Sequence, residues 1–207
     1  MHGLPPAPRV FPANPSRIVL TGFMGAGKTT VGALLAERLG WHFVDSDRVV
    51  EARTGMTVAE VFARQGETAF RELEAAAVRD AGSEERLVLA LGGGALEKAE
   101  TRAFVASLAD SLIVFLEAPL ETMIARCAGH ENAPVRPVLT DRTRLGERWS
   151  QRLPWYRQAH LTVETGQLSP QAVAERILER LDAEALRGRH AAEPLADCSH
   201  RKSGVIA

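Results

Sequence analysis

The stretch Gly22-Phe23-Met24-Gly25-Ala26-Gly27-Lys28-Thr29 follows directly on the apolar run Ile18-Val19-Leu20 and leads into Val31, Leu34, Leu35 and Leu39 at helical spacing. It is a full match to the phosphate-binding pattern G-x-x-x-x-G-K-[ST], in the strand-loop-helix setting that the pattern requires. Few features constrain a chain so tightly. The strand must end, the backbone must wrap with its N–H groups inward, and a helix must open with its positive dipole end facing the same point. Lys28 is then placed to hold β- and γ-phosphates, and the Thr29 hydroxyl to ligate magnesium. Gly25, Ala26, Gly27, Lys28, Thr29 and Thr30 are the expected phosphate contacts. Lysine is otherwise scarce here, since only Lys98 and Lys202 join Lys28.

The same rhythm repeats along the chain. Trp41 to Val44 reads as a short strand running into Asp45-Ser46-Asp47, and Thr57-Val58-Ala59-Glu60 has capping-box spacing for a helix that Gly66 ends. A second helix is expected from about Glu67 to Asp80. Leu87 to Leu91 reads as a buried strand that delivers the chain into Gly92-Gly93-Gly94, and helix follows over Leu96 to Leu108. Ser111 to Leu116 and His160 to Val163 are further strands. Helices are expected from Pro119, over Arg148 to Arg157, and from Ser169-Pro170 to Leu181. Such alternation predicts an α/β fold, a parallel sheet flanked by helices with ligands at the C-terminal ends of its strands.

The 207 residues fit one compact domain over 17–181. Residues 1–16 hold five prolines and no periodicity, and read as a flexible arm adding little to the core; 182–207 read as a disordered tail. Between 128 and 146 the periodicity fails in a polar stretch rich in arginine, longer than most connections, as expected of a lid.

With 25 Lys plus Arg against 26 Asp plus Glu, the net charge of −1 gives no global positive field, so nucleic acid is not expected as a partner. No long apolar run marks a membrane span or a signal peptide, so a cytoplasmic protein is expected. Cys127 and Cys198 have no metal or redox spacing, and the six histidines form no ligand set.

The phosphate loop alone does not choose among GTPases, ATPase motors and kinases. A guanine-reading N-K-x-D segment is missing, since neither Asn14 nor Asn132 precedes a lysine. The strand Leu87 to Leu91 ends without a carboxylate, which leaves Asp45 and Asp47 as the candidates for metal and acceptor. One can face magnesium while the other accepts a hydrogen bond from an attacking hydroxyl and takes its proton, a division that suits a kinase. Helix capping is the competing reading of this acidic pair.

Six segments in order carry a resemblance to the shikimate kinase family: GFMGAGKTTVG, FVDSD at Phe43 to Asp47, FRELE at Phe70 to Glu74, LALGGGA at Leu89 to Ala95, RPVL at Arg136 to Leu139 and RLPWY at Arg152 to Tyr156. The resemblance spans about Ile18 to Leu181. It implies a P-loop, nucleoside-monophosphate-kinase-like fold with a mobile lid, monomeric, with ATP and Mg2+ phosphorylating the 3-hydroxyl of shikimate. It further implies that Asp45 and Thr29 lie at the metal and that Asp47 binds the reacting hydroxyl. Arg71 and Arg152 would grip the substrate carboxylate, with Glu74 holding Arg71 and Gly92, Gly93 and Gly94 on the substrate side. Arg136 would close over ATP from the lid, and Arg126, with the segment ending at Pro170, would flank the adenine. Val138 and Thr29 depart from the commonest family residues without altering the chemistry. A related kinase for another hydroxy acid such as gluconate, and a catalytically retired nucleotide-binding module, are the alternatives.

Overall fold

The structure, a computed structural model, describes residues 10–12, 14–128 and 142–192. Five strands form one parallel sheet in the order β2-β3-β1-β4-β5, where β1 is Arg17–Thr21, β2 His42–Asp45, β3 Leu87–Ala90, β4 Ser111–Glu117 and β5 Leu161–Glu164. Val19 sits between Leu89 and Ile113 in register. These three strands are apolar and buried almost throughout because helices cover both faces, which removes any need for polar alternation.

The helices are α1 (Lys28–Leu39), α2 (Ser46–Thr54), α3 (Val58–Gly82), α4 (Ala99–Ser107), α5 (Leu120–Ala128), α6 (Arg142–Tyr156) and α7 (Pro170–Ala192), with a 3-10 turn at Ala95–Glu97. From β1 the chain goes out to β2, whereas from β3 it crosses to β4 on the other side of β1. The loops after β1 and β3 therefore leave two neighbouring strands in opposite directions. A crevice opens at that point, at the C-terminal edge of the sheet.

The main core joins the sheet to α1, α5, α6 and α7, with Leu35, Met123, Leu145, Tyr156 and Ile177 closed from solvent. A smaller cluster of Val50, Val61, Phe70 and Ala77 packs α2 on α3. Thr57 and Glu60 make the expected capping box, and Gly66, at φ 84° and ψ 170°, kinks α3 where the sequence predicts a break.

Several boundaries differ from the sequence-based expectation, among them the helix expected over Leu96 to Leu108, which is a 3-10 turn at Ala95–Glu97 followed by α4 from Ala99. Residues 46–54 form a helix, because the Asp45 side chain accepts hydrogen bonds from the Asp47 and Arg48 amides. The segment expected as a lid over 128–146 is already helical from Arg142, where Leu145 is buried. The tail expected from 182 begins inside α7, which continues to Ala192. The arm expected to add little to the core contributes Phe11, half-buried against the main cluster.

Candidate functional site

The phosphate loop occupies the turn from β1 to α1. Gly27, at φ 96°, is the N-cap of α1, a left-handed position without a Cβ penalty. Gly25, at φ 75°, lies so close to the Met123 backbone that a side chain there would collide with it, which locks the loop against α5. From the other side, the Thr165 hydroxyl donates to the Ala26 carbonyl at 3.2 Å. Lys28 Nζ donates to the carbonyls of Gly22 and Phe23 at 2.8 and 2.9 Å, so the ammonium is folded over the rim of the loop.

Thr29, one position into the helix, donates to Asp45 Oδ2 at 2.7 Å. The other Asp45 oxygen accepts from the amide of Asp47 at 3.0 Å, capping α2. This carboxylate caps a helix with one oxygen and meets the loop hydroxyl with the other. The pair offers only hard oxygen donors, as magnesium prefers. Among the described residues no three His, Cys, Asp or Glu side chains come together as a metal cage. A cation here would therefore complete its shell with phosphate and water oxygens, which fits an ion that retains several waters.

Asp47 stands in the first turn of α2, held there by Ser46, whose buried hydroxyl accepts from the Gly92 amide at 2.8 Å. The triple glycine is built for close approach. Any side chain at Gly92 would run into Glu74 Oε1 and Asp47 Oδ1, and any at Gly94 into the Arg71 guanidinium. Gly93 packs on the Met24 amide, 3.3 Å from where its Cβ would be, and its carbonyl accepts from the Tyr156 hydroxyl. Burial pushes the Tyr156 phenol well above its ordinary value, so the hydroxyl stays a donor.

Arg71, on α3, donates to Glu74 Oε2 at 2.6 Å and to Glu67 at 3.2 Å, under the rings of Phe62 and Phe70. Burial disfavours its charge, but the carboxylates of Glu74, Glu97 and Glu67 outweigh that and raise its pKa. Glu74 itself is pushed up to about 7, chiefly by burial and further by Asp47, against the pull of Arg71. Arg152, on α6, is 3% exposed, lies over the Phe23 ring, and donates from Nε to Glu97 at 2.7 Å. Beneath it Trp149 and Tyr156 pack on Phe115.

Arg126 lies on the opposite flank of the loop. Its guanidinium donates to the carbonyl of Thr165 at 2.6 Å and reaches that of Gly25 at 3.5 Å, which ties α5 to the segment between β5 and α7. The structure thus brings Gly25, Ala26, Gly27, Lys28, Thr29, Asp45, Asp47, Arg71, Gly92, Gly93, Gly94, Arg126 and Arg152 around one edge of the sheet. Arg136 lies outside the described residues. Sequence reasoning missed Ser46, Glu67 and Glu97. Glu67 had a readable signal, its i, i+4 spacing from Arg71; Glu97 had none, because a short 3-10 turn sets its direction.

A 2-3-1-4-5 parallel sheet with a phosphate loop after its central strand and an acidic pair after β2 defines a P-loop kinase. Sequence and structure comparisons narrow this further: the shikimate kinase family model matches residues 24–182. Shikimate kinase of Symbiobacterium thermophilum is 43% identical over 175 residues, covering 83% of this chain and 99% of that protein. The Psychrobacter cryohalolentis enzyme is 37% identical over 181 residues, covering 87% and 96%. Among solved structures, shikimate kinase from Acinetobacter baumannii in complex with shikimate superposes with a TM-score of 0.75 at 37% identity, covering 83% of this chain and 96% of that one. Shikimate kinase from Aquifex aeolicus gives 0.68 at 32% identity, covering 82% and 98%. The chain belongs to the shikimate kinase family.

Proposed function

We propose that this chain transfers the γ-phosphoryl group of ATP to the 3-hydroxyl of shikimate, giving shikimate 3-phosphate and ADP. One observation carries the reading. The phosphate loop meets Arg152 of the clamp at Phe23, over whose ring the guanidinium lies at 5.5 Å, and meets the glycine wall at Met24, on whose amide Gly93 packs. A small acid held by the clamp is thereby brought beside the phosphate cradle.

In this reading Gly25, Ala26, Gly27, Lys28, Thr29 and Thr30 receive the phosphates, and Lys28 exchanges the loop carbonyls for phosphate oxygens. Magnesium, held by Thr29 and Asp45, would supply charge neutralisation on the phosphates. Asp47 accepts the hydrogen bond of the attacking hydroxyl, aligns it and takes its proton. Arg71 and Arg152 bind the carboxylate at the other end of the ring, where planar guanidinium groups can offer paired donors. Gly92, Gly93 and Gly94 form the wall between. Arg126 borders the adenine, and Arg136, in the segment read as a lid, meets the charge of the transferring group. We also assign a monomer acting in the cytoplasm without nucleic-acid or membrane partners. The near-neutral charge speaks against a nucleic-acid partner, and among the described residues no helix is long and apolar enough to cross a membrane.

The test is ADP release with and without shikimate. Shikimate-dependent release is expected. Release with gluconate and none with shikimate would transfer the assignment to another hydroxy-acid kinase, and binding of ATP without turnover on any acid would indicate a retired module. Asp47→Asn should keep ATP binding and lose about 10²- to 10⁴-fold in kcat.

A further inference from the structure

The two guanidinium groups of the clamp are already bridged by a carboxylate of the chain itself. Glu97 Oε1 accepts from Arg152 Nε at 2.7 Å, and Glu97 Oε2 lies 3.4 Å from Arg71 Nε. The remaining nitrogens of Arg71 also face acids, Nη1 toward Glu74 at 2.6 Å and Nη2 toward Glu67 at 3.2 Å. Two cations therefore meet three carboxylates before any ligand arrives. Among the described residues Arg71 Nε makes no hydrogen bond in this arrangement, so Glu97 holds the place between the two arginines by charge on that side, and an incoming acid reaches that place as Glu97 withdraws.

The three are not equally able to do so. The Glu74 side chain is 2% exposed and wedged against Gly92, whereas those of Glu67 and Glu97 are 45% and 31% exposed. Of the two mobile candidates only Glu97 touches both arginines. It stands on a single 3-10 turn, Ala95–Glu97, directly after the glycine wall, where its side chain can swing toward solvent without disturbing a strand or a long helix.

We infer that Glu97 is a specificity-determining residue: its carboxylate holds the place of the substrate's carboxylate between Arg71 and Arg152 and must be displaced for the acid to bind. The inference rests on the shikimate kinase reading and deepens it. Glu97 keeps the buried Arg152 compensated while the site is empty, since an unpaired buried charge is costly. It also sets a threshold that a ligand without a carboxylate does not cross, because such a ligand has nothing to offer the two guanidinium groups in exchange.

The experiment compares steady-state kinetics of the wild type with Glu97→Gln and Glu97→Ala, using shikimate and its carboxamide analogue. Both variants should lower the KM for shikimate by about three- to tenfold, with kcat and the KM for ATP within about twofold of wild type. The carboxamide, with no charge to offer the freed guanidinium groups, should gain no more than shikimate does in Glu97→Ala; a larger gain would overturn the exchange of carboxylates. An unchanged KM for shikimate would remove Glu97 from acid recognition. A raised KM would make it a support that orients the arginines, and would equally overturn the inference. If the wild type itself shows no shikimate-dependent ADP release, the functional reading falls and the inference with it; wild-type turnover with no KM decrease in the variants overturns the inference alone.

Discussion

Glu74 makes the stability of the unliganded protein depend on pH in a direction opposite to that of an ordinary ion-paired acid. In the unfolded chain its carboxyl ionises near the ordinary 4.5; in the fold it holds its proton up to about 7, because burial and the nearby Asp47 outweigh Arg71 and Arg152. Between those values the folded state binds more protons than the unfolded state, so stability falls as pH rises through the window and levels off above it. A separation of about 2.5 between the two pKa values, at about 1.4 kcal/mol for each, gives a total loss of about 3 kcal/mol, most of it between pH 5 and pH 8. Denaturant unfolding of the wild type and of Glu74→Gln across this range isolates the contribution, since glutamine keeps the shape and does not titrate. The wild type should lose about 3 kcal/mol relative to the variant on going from acid to pH 8. A difference that stays flat, or that grows in favour of the wild type as pH rises, would refute the reasoning and place the ion pair with Arg71 above desolvation in the balance.

Gly92→Ala forces a methyl group into Glu74 and Asp47, so kcat should drop by about 10²-fold or more while ATP binding is retained; equal loss of nucleotide affinity would show a wider collapse of the crevice. Tyr156→Phe deprives the Gly93 carbonyl of its buried donor and should lower unfolding stability by about 1–3 kcal/mol, read from the denaturant midpoint, and a neutral result would mean that the carbonyl finds another donor. Arg152→Ala should raise the KM for shikimate by about 10- to 100-fold and leave the KM for ATP near wild type. A defect confined to the nucleotide would contradict its place in the clamp.

The parts of this architecture that could be read from the sequence are those in which local pattern and tertiary environment agree. Ile18-Val19-Leu20, Leu87 to Ala90 and Ser111 to Leu116 are apolar on both faces because they lie inside a covered parallel sheet, and a run with no polar alternation says as much. The Thr57 to Glu60 capping box fixed the start of α3 in the same way. Where local pattern and environment diverge, the sequence is silent. Helix α2 is polar almost throughout and buries only Ser46 and Val50, so periodicity does not reveal it; its cue is the Asp45 cap, which competes with a metal role for the same carboxylate. The end of α7 went unread for a related reason, since beyond Leu181 the helix continues with Leu186 largely exposed and no apolar face to mark it.

Among the candidate site residues, those on the phosphate loop were legible because backbone geometry demands glycine at set positions. Arg71 and Arg152 are singled out only through resemblance, because an arginine on a helix looks the same whether it faces a ligand or water. The structure adds a reason for the triple glycine that a ligand-contacting loop does not supply. Gly92 and Gly94 leave room for the chain's own Glu74, Asp47 and Arg71, and Gly93 leaves room for the phosphate loop. The wall between cradle and clamp is therefore as thin as a backbone permits. In the proposed reading, in-line transfer needs that thinness, since the hydroxyl at one end of a small ring would meet a phosphate while the carboxylate at the other end would meet two guanidinium groups. Removing side chains from the wall, rather than adding groups to it, is how this fold brings the phosphate loop close to Asp47, Arg71 and Arg152.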